Sequence, residues 1–316
     1  MTRTPQTDRG TAAVTVSGLT KRFGGRVAVD SLDLDLPAGV VAGFVGPNGA
    51  GKTTTLAMLL GLVRPTAGSG TVLGHPLGDP ASYLPRVGAL VEGPAFWPAL
   101  TGTENLRVIA HLAGHDPGRI PGVLDLVGLG HRAGDRYGRY SFGMKQRLGI
   151  AAALMGDPDL LVLDEPTNGL DPAGITEMRG LIAEVAGGNR TVLVSSHLLS
   201  ELEQVCDWLV VIDAGALVYQ GPASGFLGRA AAVVALEPER PGDLARLAGL
   251  ARAGGHIADP DGRRLLVAVD TGADARAVAV ALNRAAIDGG IVLAELSVRR
   301  PTLESEYLAV LEGARS

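Results

Sequence analysis

The segment Gly46-Pro47-Asn48-Gly49-Ala50-Gly51-Lys52-Thr53 limits what this chain can fold into more than any other stretch. It fits the pattern G-x-x-x-x-G-K-[S/T]. It follows a continuous apolar run, Val40–Val45, of the kind that forms a fully buried strand, and it precedes Thr53–Leu62, whose pattern is helical. Glycines let the backbone bend and bring its N–H groups around an anion, and the start of a helix adds positive potential there. The unit strand–loop–helix therefore predicts an α/β core with a phosphate-binding loop. Gly46, Pro47, Asn48, Gly49, Ala50 and Gly51 form the cradle. Lys52 is placed to reach β- and γ-phosphates, the Thr53 hydroxyl to bind Mg²⁺, and Thr54 adjoins them on the helix.

A second run, Leu160-Leu161-Val162-Leu163-Asp164-Glu165, delivers two acids at the end of an apolar strand, the edge where α/β proteins place their sites. Alone, such a pair is more often a helix cap or a surface charge. Downstream of a phosphate loop it reads differently. Asp164 holds Mg²⁺, directly or through water, and Glu165 polarises an attacking water as general base. The two motifs together indicate a phosphate-loop nucleotidase.

Further strands are expected where Val14 and Val16, and then Leu32, Leu34 and Leu36, alternate with polar neighbours. Thr191–Ser195 and Trp208–Ile212 read as buried strands, with helices over Lys145–Met155 and Leu198–Cys206. Repeated strand–helix alternation implies a mostly parallel sheet. Between Gly93 and Gly138, helical segments near Thr103–Leu112 and Pro121–Val127 are broken by Pro and Gly, which reads as a helical insert. After Gly221 the pattern restarts. Strands over Ala232–Leu236, Arg264–Val269 and Ile291–Val298, with helices over Ala275–Ala286 and Leu303–Leu311, predict a smaller α+β domain.

With 316 residues, one large and one small domain are expected. The 33 acidic against 28 basic residues give a net charge of -5, which argues against nucleic acid as a partner. Cys206 is the only cysteine, so no internal disulfide can form; it fits a reducing compartment and reads as a small helix residue. The apolar runs fall short of the roughly 20 residues of a membrane-spanning helix, and the polar start MTRTPQTDRG lacks the apolar core of a leader. Any channel must therefore come from another chain.

Tyr140-Ser141-Phe142-Gly143-Met144-Lys145-Gln146-Arg147 resembles the signature L-S-G-G-Q of the ABC ATPase family, matching at Ser141 and Gly143 and departing at Tyr140, Phe142 and Met144. Asn168-Gly169-Leu170-Asp171-Pro172 is similar to the family's dimer-contact loop, with Asp171 the recognisable member, and Ser195-Ser196-His197 to its switch histidine. Phe23, before Gly24, resembles its adenine-stacking aromatic; apart from the resemblance it reads as a core residue. Glu92, in Leu90-Val91-Glu92-Gly93-Pro94, stands where the family carries Gln. That feature and the Tyr-Ser-Phe-Gly-Met signature are similar to the subfamily that exports bacitracin- and lantibiotic-type antibiotics. Pro301-Thr302-Leu303-Glu304 with Tyr307-Leu308 resembles the tail of daunorubicin-type exporters.

The resemblance implies a P-loop NTPase core of ABC ATPase type over residues 12–222, with an antiparallel N-terminal β part and an insert over about 93–140. A disordered tail (1–11) precedes it and an accessory α+β domain (225–316) follows. It implies ATP and Mg²⁺ as cofactors and a head-to-tail pair of ATPase subunits, in which Ser141, Gly143 and Asp171 of one cover ATP held by the other. The partner is a membrane-spanning permease on whose cytoplasmic face the chain sits. Glu165 and His197 are the expected catalytic residues, Thr53 and Asp164 the metal ligands, and Glu92 a contact near Mg²⁺ and the γ-phosphate. A soluble ABC ATPase of translation or DNA repair is the alternative; such proteins carry two cores or long coiled coils, and this chain has one core and no heptads. A non-catalytic nucleotide-binding regulator fits poorly with Lys52, Asp164, Glu165 and His197 all present.

Overall fold

A computed structural model describes residues 12–197, 202–227, 232–270, 273–299 and Tyr307. The expected tail 1–11, the start of the expected helix Leu198–Cys206, all but Tyr307 of the expected helix Leu303–Leu311, and most of the Pro301–Leu308 segment lie outside the described residues. The chain divides into two compact units, Met1–Ala223 and Ser224–Ser316.

In the first unit, strands β1 (Ala12–Phe23) and β2 (Arg26–Pro37) form an antiparallel hairpin. The alternating pattern sets its register. Val14 pairs with Leu36, Val16 with Leu34 and Leu19 with Leu32, all buried, while Thr15, Asp33 and Asp35 face outward. Strand β3 (Val41–Val45) follows, then the phosphate loop and helix α1 (Lys52–Leu59). Strands β4 (Ala67–Val72) and β5 (His75–Pro76) complete the first sheet in the order β2-β1-β4-β5. The second sheet has six strands. It adds β6 (Val87–Leu90), β7 (Leu160–Asp164), β8 (Thr191–Ser196), β9 (Trp208–Asp213) and β10 (Ala216–Pro222), in the order β10-β9-β3-β8-β7-β6. All neighbours in it are parallel except β10 on β9. Its central strands β3 and β8 are buried along their whole length; β3 is apolar throughout, while in β8 the polar Thr191, Ser195 and Ser196 flank an apolar middle.

Helix α1 joins the two sheets through one core. Its Leu56, Met58 and Leu59 cluster with Val14 and Leu34 of the first sheet and with Phe44, Val162, Leu193 and Val210 of the second. Truncating a fully buried leucine such as Leu56 to alanine in such a core costs about 2–5 kcal/mol.

Between β6 and β7 the chain runs through α2 (Gly102–Ala113), α3 (Ile120–Leu126) and α4 (Phe142–Leu154). Thr101 and Glu104 close a capping box on α2, and Gly114 ends it in a left-handed conformation. Helix α4 starts at Phe142, three residues earlier than expected, because the Ser141 hydroxyl accepts from the Met144 N–H and caps it. Helix α5 (Pro172–Val185) is capped in the same way by Asp171. Cys206 corrects its reading as a helix residue: it lies beyond the turn 203–205 that leads into β9, beside Gly43. Burial pushes its thiol pKa up to about 12, so it stays protonated and inert.

After the short helix α6 (Ala223–Leu227), the second unit runs β11 (Val233–Pro238), α7 (Leu244–Ala253), β12 (Ala258–Asp261), β13 (Arg264–Ala268), α8 (Ala275–Asp288) and β14 (Leu293–Arg299). This β-α-β-β-α-β order, with an antiparallel sheet arranged β12-β13-β11-β14, is ferredoxin-like. Val234, Leu236, Leu265 and Val267 of the sheet pack against Leu247 and Ala251 of α7 and Leu282 and Ala286 of α8, a core of the unit's own.

Candidate nucleotide site

Three adjacent strands, β3, β8 and β7, end side by side, and each carries part of the site on its C-terminal end. Strand β3 feeds the phosphate loop. Gly51 has a φ of 103°, and a Cβ there would stand 2.5 Å from the Ala28 carbonyl oxygen, so only glycine fits. It also occupies the N-cap of α1 without any side-chain cap, which leaves the first N–H groups of the helix facing the loop. Ala50 is buried and its carbonyl accepts from the N–H of Gly215, in the turn between β9 and β10, at 3.0 Å, which ties the loop to the sheet.

Lys52 is 6 % exposed, and its Nζ is held within the loop. It donates to the Gly46 carbonyl at 2.7 Å and the Pro47 carbonyl at 3.3 Å, and lies 3.4 Å from Glu165 Oε1. The other Glu165 oxygen, Oε2, lies 2.6 Å from His197 Nδ1. An ionised carboxylate only accepts, so the imidazole Nδ1–H donates and Nε2 is left for another partner. Glu165, at the end of β7, thus bridges a lysine and a histidine brought from the ends of two other strands, β3 and β8. Its backbone is left-handed, with φ 49°, a conformation that costs a non-glycine residue about 1–2 kcal/mol. Asp164, one residue earlier, accepts from Thr53 Oγ1 at 2.9 Å on Oδ2 and from Ser195 Oγ at 2.5 Å on Oδ1. The Ser195 hydroxyl in turn accepts from the Glu165 N–H at 2.9 Å.

Lys52, Thr53, Glu165 and His197 open into a cavity of about 610 Å³ also lined by Phe23, Arg26, Ala28, Asn48, Gly49, Gly51, Thr54 and Asn168, whereas Gly46, Pro47, Ala50, Asp164 and Ser195 lie outside its lining. Phe23 is 51 % exposed, so the alternative of a core residue fails; its ring carries Lys21 Nζ at 4.8 Å from the centroid. Arg26 was not anticipated. It starts β2 opposite Phe23, its guanidinium lies 3.6 Å from where a Cβ on Gly49 would stand, and it has no hydrogen-bond or ion-pair partner among the described residues. Sequence spacing gave no sign of it, because only the folded hairpin carries it to the loop. Glu92 is exposed with φ 59° and does not line this cavity.

Ser141, Gly143 and Asp171 gather at a second cavity, also about 610 Å³, which includes Phe142, Arg147, Gly169, Leu170 and Glu177. The departures from the signature have physical roles here. Tyr140 is buried and its hydroxyl donates to the Arg132 carbonyl at 2.8 Å; burial raises its pKa above the usual tyrosine value. Phe142 is 51 % exposed and leans over Gly169, where a Cβ would come within 3.2 Å of its ring. Arg147 pairs with Glu177 and so links α4 to α5.

Among the described residues no group of three or more His, Cys, Asp or Glu side chains is placed to cage a metal. The Thr53 hydroxyl and Asp164 carboxylate, in contact with each other, are two hard oxygen donors beside a phosphate loop. That set suits Mg²⁺, which completes its shell with phosphate and water rather than with a protein cage.

Glycine-rich loop, buried lysine and paired acids on the C-terminal edge of a mostly parallel sheet define a phosphate-loop nucleotide hydrolase. The ABC transporter family model matches residues 29–168. The bacitracin transport ATP-binding protein BcrA of Bacillus licheniformis is 47% identical over 212 residues, covering 66% of this chain and 69% of that one. The daunorubicin resistance ATP-binding protein DrrA3 of Streptomyces coeruleorubidus is 35% identical over 302 residues, which covers 94% of this chain and 95% of its own. Among solved structures, CbiO1 from Clostridium perfringens, part of the ABC transporter complex CbiONQ, has the same fold. It matches with a TM-score of 0.60 at 24% identity over 68% of this chain and 90% of that one. The chain belongs to the ABC transporter family as an ATP-binding, ATP-hydrolysing subunit. Among the described residues no helix is long and apolar enough to cross a membrane.

Proposed function

We propose that this chain powers the export of an antibiotic, peptide or similar amphiphile through a separate membrane-spanning permease, on whose cytoplasmic face it sits. The observation that carries the reading is the Lys52–Glu165–His197 constellation at the mouth of the first cavity. The kind of cargo rests on the likeness to the bacitracin and daunorubicin proteins.

ATP enters the first cavity with its adenine against Phe23 and its phosphates in the loop from Gly46 to Thr54. Lys52 turns from the Gly46 and Pro47 carbonyls toward the phosphates, and Arg26 adds a cation that no described residue neutralises. Thr53 and Asp164 would hold Mg²⁺, which would supply charge neutralisation to the bound triphosphate. Glu165 accepts a proton from water as the water oxygen bonds to the γ-phosphorus. The bond to the bridging oxygen breaks and leaves ADP and phosphate. His197 keeps Glu165 aimed through its Nδ1–H, and donates to the γ-phosphate from Nε2 only as an imidazolium with both nitrogens protonated. Ser141, Gly143 and Asp171 lie at a different cavity, so they serve a second ATPase subunit, most simply another copy of this chain placed head to tail. Each site is then completed across the pair.

The test is export. Cells carrying this chain with its permease are compared with cells carrying the Glu165→Gln form at equal expression. The reading expects drug accumulation to be low in the first and to rise to the level of cells without the transporter in the second. Equal accumulation in both contradicts it.

A further inference from the structure

We propose that Ser195 is a positioning residue that sets Asp164 and Glu165 together through a single hydroxyl. The two acids are consecutive but need different orientations, one toward the metal and one toward the attacking water. Asp164 is the last residue of β7 and stands in register with Ser195 on parallel β8. Glu165 then leaves the strand through a left-handed turn at φ 49°. A backbone N–H at such a turn needs a partner from outside the ladder. The Ser195 Oγ supplies it, accepting from Glu165 N at 2.9 Å.

That bond also determines where the hydroxyl proton goes. Ser195 is 0% exposed, so solvent does not compete. A hydroxyl has one proton to donate. With a lone pair of Oγ taken by the Glu165 N–H, that proton points to Asp164 Oδ1, 2.5 Å away. The opposite carboxylate oxygen, Oδ2, receives Thr53 Oγ1 at 2.9 Å. Asp164 is therefore gripped on both oxygens, from α1 on one side and β8 on the other, and cannot rotate freely. The same hydroxyl fixes the turn from which Glu165 reaches Lys52 and His197. Partners of this kind, one step removed from a metal, typically change metal affinity or activity by about 10–100-fold when lost.

The inference rests on the proposed roles of Asp164 and Glu165. Ser195→Ala and Ser195→Thr are compared with wild type in three measurements. These are ATP affinity in EDTA by calorimetry, Mn²⁺ affinity in the presence of a non-hydrolysable ATP analogue by electron paramagnetic resonance, and kcat with KM. For Ser195→Ala the expected result is metal-free ATP affinity within about 2-fold of wild type, Mn²⁺ affinity down about 10-fold and kcat down about 10–100-fold at nearly constant KM. Ser195→Thr, which keeps the hydroxyl, recovers most of both. If the alanine form does not fold, Ser195→Cys fills the space with only a weak donor and is expected to show the same losses. Wild-type Mn²⁺ affinity and kcat in the hydroxyl-free forms overturn the proposal. So does a loss of metal-free ATP affinity as large as the loss of kcat, which marks a packing role. Wild type itself failing to bind Mn²⁺ with the nucleotide would instead strike at the metal role of Asp164 and Thr53.

Discussion

Two cations face the first cavity from different elements, and their circumstances differ. Lys52 is already engaged, with two carbonyls and Glu165 within 3.4 Å. Arg26 is exposed and unpartnered among the described residues, so it meets a polyanion without first breaking an ion pair. A charge-assisted bond from an exposed arginine to a phosphate contributes about 1–2 kcal/mol. Arg26→Ala is therefore expected to weaken ATP binding about 5- to 20-fold, with Arg26→Lys intermediate. Calorimetry at two salt concentrations checks this: the salt dependence of the affinity should fall along with the affinity, and an unchanged affinity removes Arg26 from the site. Most of the site was legible in the sequence because its motifs are continuous in the chain. The loop and the acid pair announce themselves beside apolar strands, and His197 is picked out by the resemblance of Ser195-Ser196-His197 to a family motif. Arg26 and Ser195 were not legible as site residues, since their roles depend on which strands become neighbours.

Among the elements, the insert between β6 and β7 carries Ser141 at the N-cap of α4, and the chain enters it through Glu92, Gly93 and Pro94. Glu92 adopts a left-handed conformation, exposed, just after β6 ends at Leu90. Tyr137 anchors the same turn by donating to the Pro94 carbonyl at 3.0 Å. Glu92→Ala is expected to leave ATP affinity within about 2-fold of wild type and to lower export per ATP hydrolysed, with Glu92→Gln milder. ATPase and export measured together in the reconstituted complex check this; both at wild-type level would make Glu92 a surface charge. Strands and helices with strong periodicity, such as β1, β2, α2 and α8, were foreseeable. Strand β4, Ala-Gly-Ser-Gly-Thr-Val, was not, because its place is set by close approach: a Cβ on Gly70 would stand 2.2 Å from the Thr15 carbonyl oxygen. Helix α7 hides in an Ala-, Gly- and Arg-rich stretch, and β12, Ala-Asp-Pro-Asp, is held by pairing with β13 rather than by its own composition.

For the whole molecule, the two units have separate cores, and every residue lining the nucleotide cavity belongs to the first. A chain ending at Ala223 is expected to fold and to bind ATP within about 2-fold of the full chain, since no lining group is lost. Calorimetry and thermal unfolding of the shortened chain check this. A folded but non-binding product would give the second unit a part in the site. The mostly parallel sheet could be read from alternating strands and helices, while the ferredoxin-like order of the second unit could not, because it depends on α7 and β12. We propose that the whole fold serves to let Glu165 take a proton from water beside bound ATP. It is tested most directly by comparing steady-state ATP turnover and ATP affinity in wild type and Glu165→Gln, with the permease present. For Glu165→Gln, ATP affinity is expected within about 3-fold of wild type and turnover lower by about 10²–10⁴-fold. Turnover near the wild-type rate would contradict it.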